Sequence, residues 1–144
     1  GMSGRLFTQV REKRGLCYAV HAAYTADKNH GVVRGYAGTT TARAQETLDV
    51  FTAELRRLSE GVQQDEYDRA MVGLKSSLVM QGESTAARAR AIASDQFNLG
   101  RPRSLGELAA RVESVTLDRL NTFIADQSLE QMTIVTVGPE QLTV

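Results

Sequence analysis

The sequence predicts an α+β fold: a small, mainly antiparallel sheet, made of one hairpin plus a C-terminal strand and covered by a block of helices. Three observations lead there. Alternating residues from Cys17 to Thr25 and strand-like residues from Val32 to Gly38 bracket a polar turn. Apolar residues then recur at steps of three and four through the long middle of the chain. A β-branched run, Met132 to Val137, ends in Gly138-Pro139. Strands at the ends with helices between them do not follow the strict alternation of a doubly wound sheet.

Taken in order, Met2, Leu6, Phe7 and Val10 share one helical face, opposite Arg5, Gln9, Glu12 and Lys13. Arg11, Lys13 and Arg14 crowd the last turn, where carbonyl dipoles favour cations, and Gly15 follows as a left-handed cap. In the first strand Tyr18, Val20, Ala22 and Tyr24 alternate with Cys17, Ala19, His21 and Ala23. Asp27 to Gly31 supply turn chemistry, and Gly35 and Gly38 in the second strand indicate that something packs close to its backbone. Thr39 to Thr41 offer caps for a helix carrying Ala44, Leu48, Phe51, Leu55 and Leu58 and closed by Gly61. A second long helix from about Asp65 buries Tyr67, Ala70, Met71, Leu74 and Leu78 until Gly82 interrupts it. Ser84 caps a third, with Ala89, Ile92, Ala93 and Phe97 on its face and a stop at Gly100 before Pro102. Ser104 and Glu107 have capping-box spacing, and Thr116 starts a helix with Leu120, Phe123 and Ile124. Residues 1–144 read as a single domain, and three strands make a small sheet for so many helices, so an open edge is expected to be completed by a partner or by self-association.

Composition excludes several functions. Seventeen basic and seventeen acidic side chains cancel, so no net field draws the protein to nucleic acid or an anionic membrane. A basic-helix nucleic-acid module on Arg5, Arg11, Lys13 and Arg14 lacks an aromatic ladder for bases. No apolar run reaches the length of a bilayer-spanning helix. The lone Cys17 has no internal disulfide partner and reads as a small buried residue. His21 and His30 belong to neither zinc-peptidase helix pattern, His-Glu-x-x-His or His-x-x-Glu-His, and read as surface or sheet-edge residues.

The stretch Met2-Ser3-Gly4-Arg5-Leu6-Phe7 with Arg11-Glu12-Lys13-Arg14-Gly15-Leu16-Cys17-Tyr18 resembles a signature of the insulinase and mitochondrial-processing-peptidase family of zinc metallopeptidases. The turn at Gly61 with Asp65-Glu66, the segment Gln81 to Ser84, and the ending from Val112 to Pro139 are similar to the same domain in order. The resemblance implies the C-terminal, zinc-free domain of a peptidase built from two such domains, with no cofactor on this chain and zinc on the partner domain, whether on the same chain or a separate one. It also implies a chain shortened before its glycine-rich turn. Its partners would be that zinc-bearing domain and a peptide substrate, and a homo-oligomer is a further expectation from the open sheet edge. A protease-like scaffold or assembly subunit without peptidase activity is the alternative that the same family contains.

Within that resemblance the site residues are Arg11 and Tyr18. Read without it, Arg11 is a cation compensating a helix dipole and Tyr18 a sheet residue beside Val20. With it, a permanently charged guanidinium and a phenol hydroxyl hold a substrate carbonyl or carboxylate opposite the metal. Arg11 in the last helical turn, the Gly15 reversal and Tyr18 at the strand opening would let both emerge at one end of the sheet. Lys13 and Arg14 read as solvated helix-end charges, and Glu83 as a cap or surface residue.

Overall fold

The computed structural model describes residues 4–26, 28–127 and 131–144. Its elements are a π-helix (Phe7–Glu12), strands β1 (Cys17–Ala26) and β2 (Gly31–Thr39), and helices α1 (Ala44–Arg56), α2 (Gln64–Glu83), α3 (Thr85–Leu99), α4 (Leu105–Glu113) and α5 (Leu117–Ala125). Contacts gather into two compact units. One holds Gly1–Thr25, Gly31–Gly61 and Ile124–Val144; the other holds Ala26–His30 and Val62–Phe123. Among the described residues no helix is long and apolar enough to cross a membrane.

In the first unit β1 and β2 form a two-stranded sheet, antiparallel as so short a connection requires. Val10, Leu16 and Cys17 are its buried apolar centre, with Leu6, Val20 and Val50 packed against them. Two of the three glycines of β2, Gly35 and Gly38, admit rings as the sequence expects: a Cβ at Gly35 would stand 2.5 Å from Phe51 Cζ of α1, and one at Gly38 2.8 Å from Tyr18 Cζ. The sequence expectation of close packing there holds. Away from this end both strands are exposed, from His21 to Ala26 and from Gly31 to Tyr36, so the alternation of β1 does not translate into one buried face. Two strands with one helix against them have too little surface to cover a ten-residue ribbon.

Two further expectations are corrected here. The run from Met132 to Val137 forms no strand: it is unpaired, with Val135 80 % and Val137 99 % exposed. A β-branched sequence supplies propensity, but a strand needs a neighbour's free backbone groups, and the sheet ends at β1 and β2. Beyond it, Gln45 Nε2 donates to the Thr143 carbonyl (2.8 Å) and the Thr143 amide donates back to Gln45 Oε1 (2.8 Å), tying the tail to α1 through a side chain. The first helix, expected to be an ordinary amphipathic one, is wound wider: the Lys13 amide bonds the Thr8 carbonyl five residues back. Its expected start at Met2 lies outside the described residues.

The second unit is helical, with α2 packed against α3 and α4. Asn121 grips the Val62 backbone, accepting from its amide (2.8 Å) and donating to its carbonyl (3.1 Å), and the Tyr67 hydroxyl donates to the Val115 carbonyl (2.7 Å). Ser84, Gly100 and the Ser104–Glu107 capping box stand where the sequence puts them. Thr116 also caps as expected, accepting from the Arg119 amide (3.2 Å). Gly82 does not break α2, which continues to Glu83: a Cβ at Gly82 would meet Leu105 Cδ1 at 2.9 Å, so the glycine gives α4 room rather than ending the helix. The expected buried faces are only partly buried, since Ala70, Leu74, Ala89, Ile92, Ala93 and Phe97 are exposed. Periodicity marks the side of a helix able to be buried; it does not supply what covers it.

Candidate functional site at the first elbow

Between the π-helix and β1 the chain turns through Gly15, whose φ of +58° is left-handed and unfavourable for any residue with a side chain. The Gly15 amide bonds the Arg11 carbonyl (3.0 Å) and the Leu16 amide the Val10 carbonyl (3.0 Å). Both spans are one residue wider than in the usual glycine-capped α-helix end, as suits a π-wound terminus. The two carbonyls that this reversal turns away from the helix are then taken up from outside. Arg43 donates to Gly15, the Thr39 hydroxyl to Leu16 (2.5 Å), and the Thr47 hydroxyl stands 3.2 Å from the same Leu16 oxygen, 3.1 Å from Thr39 Oγ1 and 2.7 Å from the Arg43 carbonyl. Thr47 is almost wholly buried. Side chains from the end of β2 and the start of α1 therefore clamp the elbow's backbone.

Sequence reasoning missed this clamp. Thr39 stood in it only as part of a capping run, and Arg43 and Thr47 had no role, because their partners lie 28 and 31 residues away and carry no local signal. The sequence signal for it is spacing: Thr47 falls three residues after Ala44 and four before Phe51, on the apolar face of the helix.

Arg11 and Tyr18 flank the clamped elbow, and both are exposed. The Arg11 guanidinium lies over the Phe7 ring, 5.0 Å from its centroid, a cation–π contact one turn back. Tyr18 lies against Gly38, and the Tyr36 phenol beside it pushes the Tyr18 phenol upward, through hydrogen bonding first and charge second. Each thus has its own set of neighbours. Cys17 between them is buried; burial pushes its thiol up, against a smaller opposite pull from Arg11, so it rests as a neutral thiol. Lys13, Arg14 and Glu83 are exposed, with Glu83 ending α2.

The residues of this chain do not fit a zinc site. The His21 ring rests near Tyr36, centroids 5.5 Å apart, and among the described residues no group of three or more His, Cys, Asp or Glu side chains could hold a metal ion. What the elbow offers is a cation and a hydroxyl donor on a clamped backbone, with the Cys17 thiol between them buried and neutral.

Comparison with known proteins agrees with this division. The family described as Peptidase M16 inactive domain matches residues 1–74, which run from the elbow through the hairpin and α1 into α2. An uncharacterized zinc protease of Streptomyces coelicolor is 33 % identical over 96 % of this chain, and the uncharacterized zinc protease YmxG of Bacillus subtilis is 28 % identical over 96 %. These alignments take in 30 % and 34 % of the relatives, so the chain spans about a third of their length. Among solved structures, a peptidase M16 inactive domain from Pseudomonas fluorescens superposes with a TM-score of 0.75 at 22 % identity, covering 90 % of this chain and 31 % of that one. A chain of complex III2 from Candida albicans superposes with a TM-score of 0.71 at 19 % identity, covering 85 % and 29 %. The chain belongs to the peptidase M16 family, the insulinase and processing-peptidase family of the sequence signature, as its zinc-free inactive domain.

Proposed function

We propose that this chain is the non-catalytic half of a zinc-dependent metalloendopeptidase, lending substrate-binding and transition-state contacts to a zinc site on another domain. The observation that carries the reading is the elbow: Arg11 and Tyr18 stand exposed on either side of a backbone turn that Arg43, Thr39 and Thr47 hold in place. Peptide hydrolysis by zinc needs an activated water, a base, and stabilisation of charge on the former carbonyl oxygen. Arg11 brings a charge that persists at any working pH, and Tyr18 a hydroxyl donor, so this half serves the last requirement and binding of the peptide. Zinc and the base belong to a partner peptidase domain, on the same or a separate chain.

The test is reconstitution. Alone, the 144-residue chain is expected neither to retain stoichiometric zinc nor to cleave an unfolded peptide. Joined with the zinc-bearing domain of the same protein it should support cleavage that Arg11→Ala and Tyr18→Phe diminish. Full-rate cleavage by the isolated chain would overturn the proposal. A scaffold or assembly subunit is the second reading, favoured by the likeness in fold to a chain of complex III2. A companion domain lacking His-x-x-Glu-His would decide for it.

A further inference from the structure

Tyr18 is 65 % exposed, and a tyrosine so exposed ordinarily samples several rotamers. Here its ring has a defined seat. A Cβ built on Gly38 would lie 2.8 Å from both Cε2 and Cζ of Tyr18 and 2.9 Å from its hydroxyl oxygen, so the outer half of the ring occupies the volume that any side chain at position 38 would fill. Packing an aromatic ring over a glycine of the neighbouring strand is a device by which sheets fix ring and register together. Tyr36, two residues before Gly38 on β2, rests beside His21.

We propose that Gly38 is a positioning residue for the Tyr18 phenol, leaving its ring a flat seat on β2. This rests on the reading that Tyr18 contacts substrate, and it extends the site from the elbow onto the second strand. A hydroxyl already oriented when peptide arrives loses less freedom on binding than one that must be ordered then. The Tyr24–Gly31 pair repeats the ring-on-glycine packing at the other end of the hairpin, where a Cβ on Gly31 would overlap the Tyr24 ring, and provides an internal control.

The experiment uses the chain joined to its zinc-bearing domain, with steady-state cleavage of a fluorogenic unfolded peptide. Gly38→Ala is expected to lower kcat about tenfold while changing KM little, since a small misplacement of a contact group acts on the transition state. Gly31→Ala should leave kcat unchanged, and Gly38→Ala added to Tyr18→Phe should cost nothing further. In the 144-residue chain, NMR should show contacts between the Tyr18 ring protons and the Gly38 α-protons, a signature of the seat that a merely structural glycine would not give. If Tyr18→Phe impairs cleavage while Gly38→Ala matches the wild type, the positioning role is wrong and the substrate-contact reading survives. Wild-type activity of Tyr18→Phe refutes both. Should Gly38→Ala fail to fold, the wild-type spectra decide: a Tyr18 ring without contact to the Gly38 α-protons overturns the inference.

Discussion

Removing the two hydroxyls that hold the Leu16 carbonyl should destabilise the first unit by more than the sum of the single losses. Leu16 is 4 % exposed, so its carbonyl has little access to water. A hydroxyl carries one hydrogen, and Thr47 has three oxygens within reach, with the Arg43 carbonyl the nearest at 2.7 Å. Thr47→Val therefore removes about one net hydrogen bond and sets a methyl against polar atoms, roughly 1–2 kcal/mol. Thr39→Val takes the 2.5 Å donor from Leu16 but leaves Thr47 free to turn toward it, about 1 kcal/mol. In the double variant neither hydroxyl remains, and the added desolvation penalty brings the loss to roughly 3–4 kcal/mol, about 1 kcal/mol beyond additivity. Urea unfolding followed by far-UV circular dichroism on the four proteins measures this directly. A double variant within about 0.5 kcal/mol of the wild type, or strict additivity, would refute the shared-acceptor reasoning.

Asp95→Asn should cost the helical unit roughly 2–3 kcal/mol by thermal or urea unfolding, because Asp95 takes bonds from the Arg103 amide (2.9 Å), Nε (3.0 Å) and Nη2 (2.6 Å) while almost buried. Those Arg103 contacts hold the Asp95 carboxyl below its usual range, so on acidification the unfolded chain protonates first. The stabilisation is complete above a pH of about 4 and is lost as pH falls through the lower folded value, and Asp95→Asn should flatten that part of the stability profile. Gly73→Ala, in the middle of α2 with nothing within 4 Å of the added methyl, should raise stability by about 0.5–1 kcal/mol; a loss would place an unseen neighbour there. Gly35→Ala should instead lose about 1–3 kcal/mol through collision with Phe51, and Phe51→Leu in the same chain should recover part of it.

Local chemistry was legible in the sequence wherever its partner lies within a turn or two. Gly15, Ser84, Gly100 and the Ser104–Glu107 pair each act on backbone groups a few residues away, and each stands as expected. Even locally there are gaps: Gln63 and Glu66 form a capping box that reading from Asp65 passes over, because glutamine is an uncommon cap. The π-winding of Phe7–Glu12 was hidden as well, since an apolar pattern over so few residues fits 3.6 and wider periods alike. Long-range pairings left no trace: Asp95 reads as one polar residue on a helix, and nothing in the sequence says that Arg103 curls back onto it.

The candidate site divides along the same line. Arg11 and Tyr18 were visible as residues of a motif, yet the support that the proposed substrate role calls for is the clamp of Arg43, Thr39 and Thr47, assembled across some thirty residues. Exposed side chains on an unsupported turn would lose on binding much of what their contacts gain. With the Gly15 and Leu16 carbonyls pinned, backbone freedom has already been lost on folding, and only the guanidinium and the phenol remain to be ordered. Phe7 beneath one and Gly38 beneath the other restrain even those. A surface arginine and tyrosine kept only for solubility would need none of this support, and that contrast is the physical reason to expect Thr39→Val/Thr47→Val to weaken peptide cleavage in the joined protein at temperatures where the fold still holds.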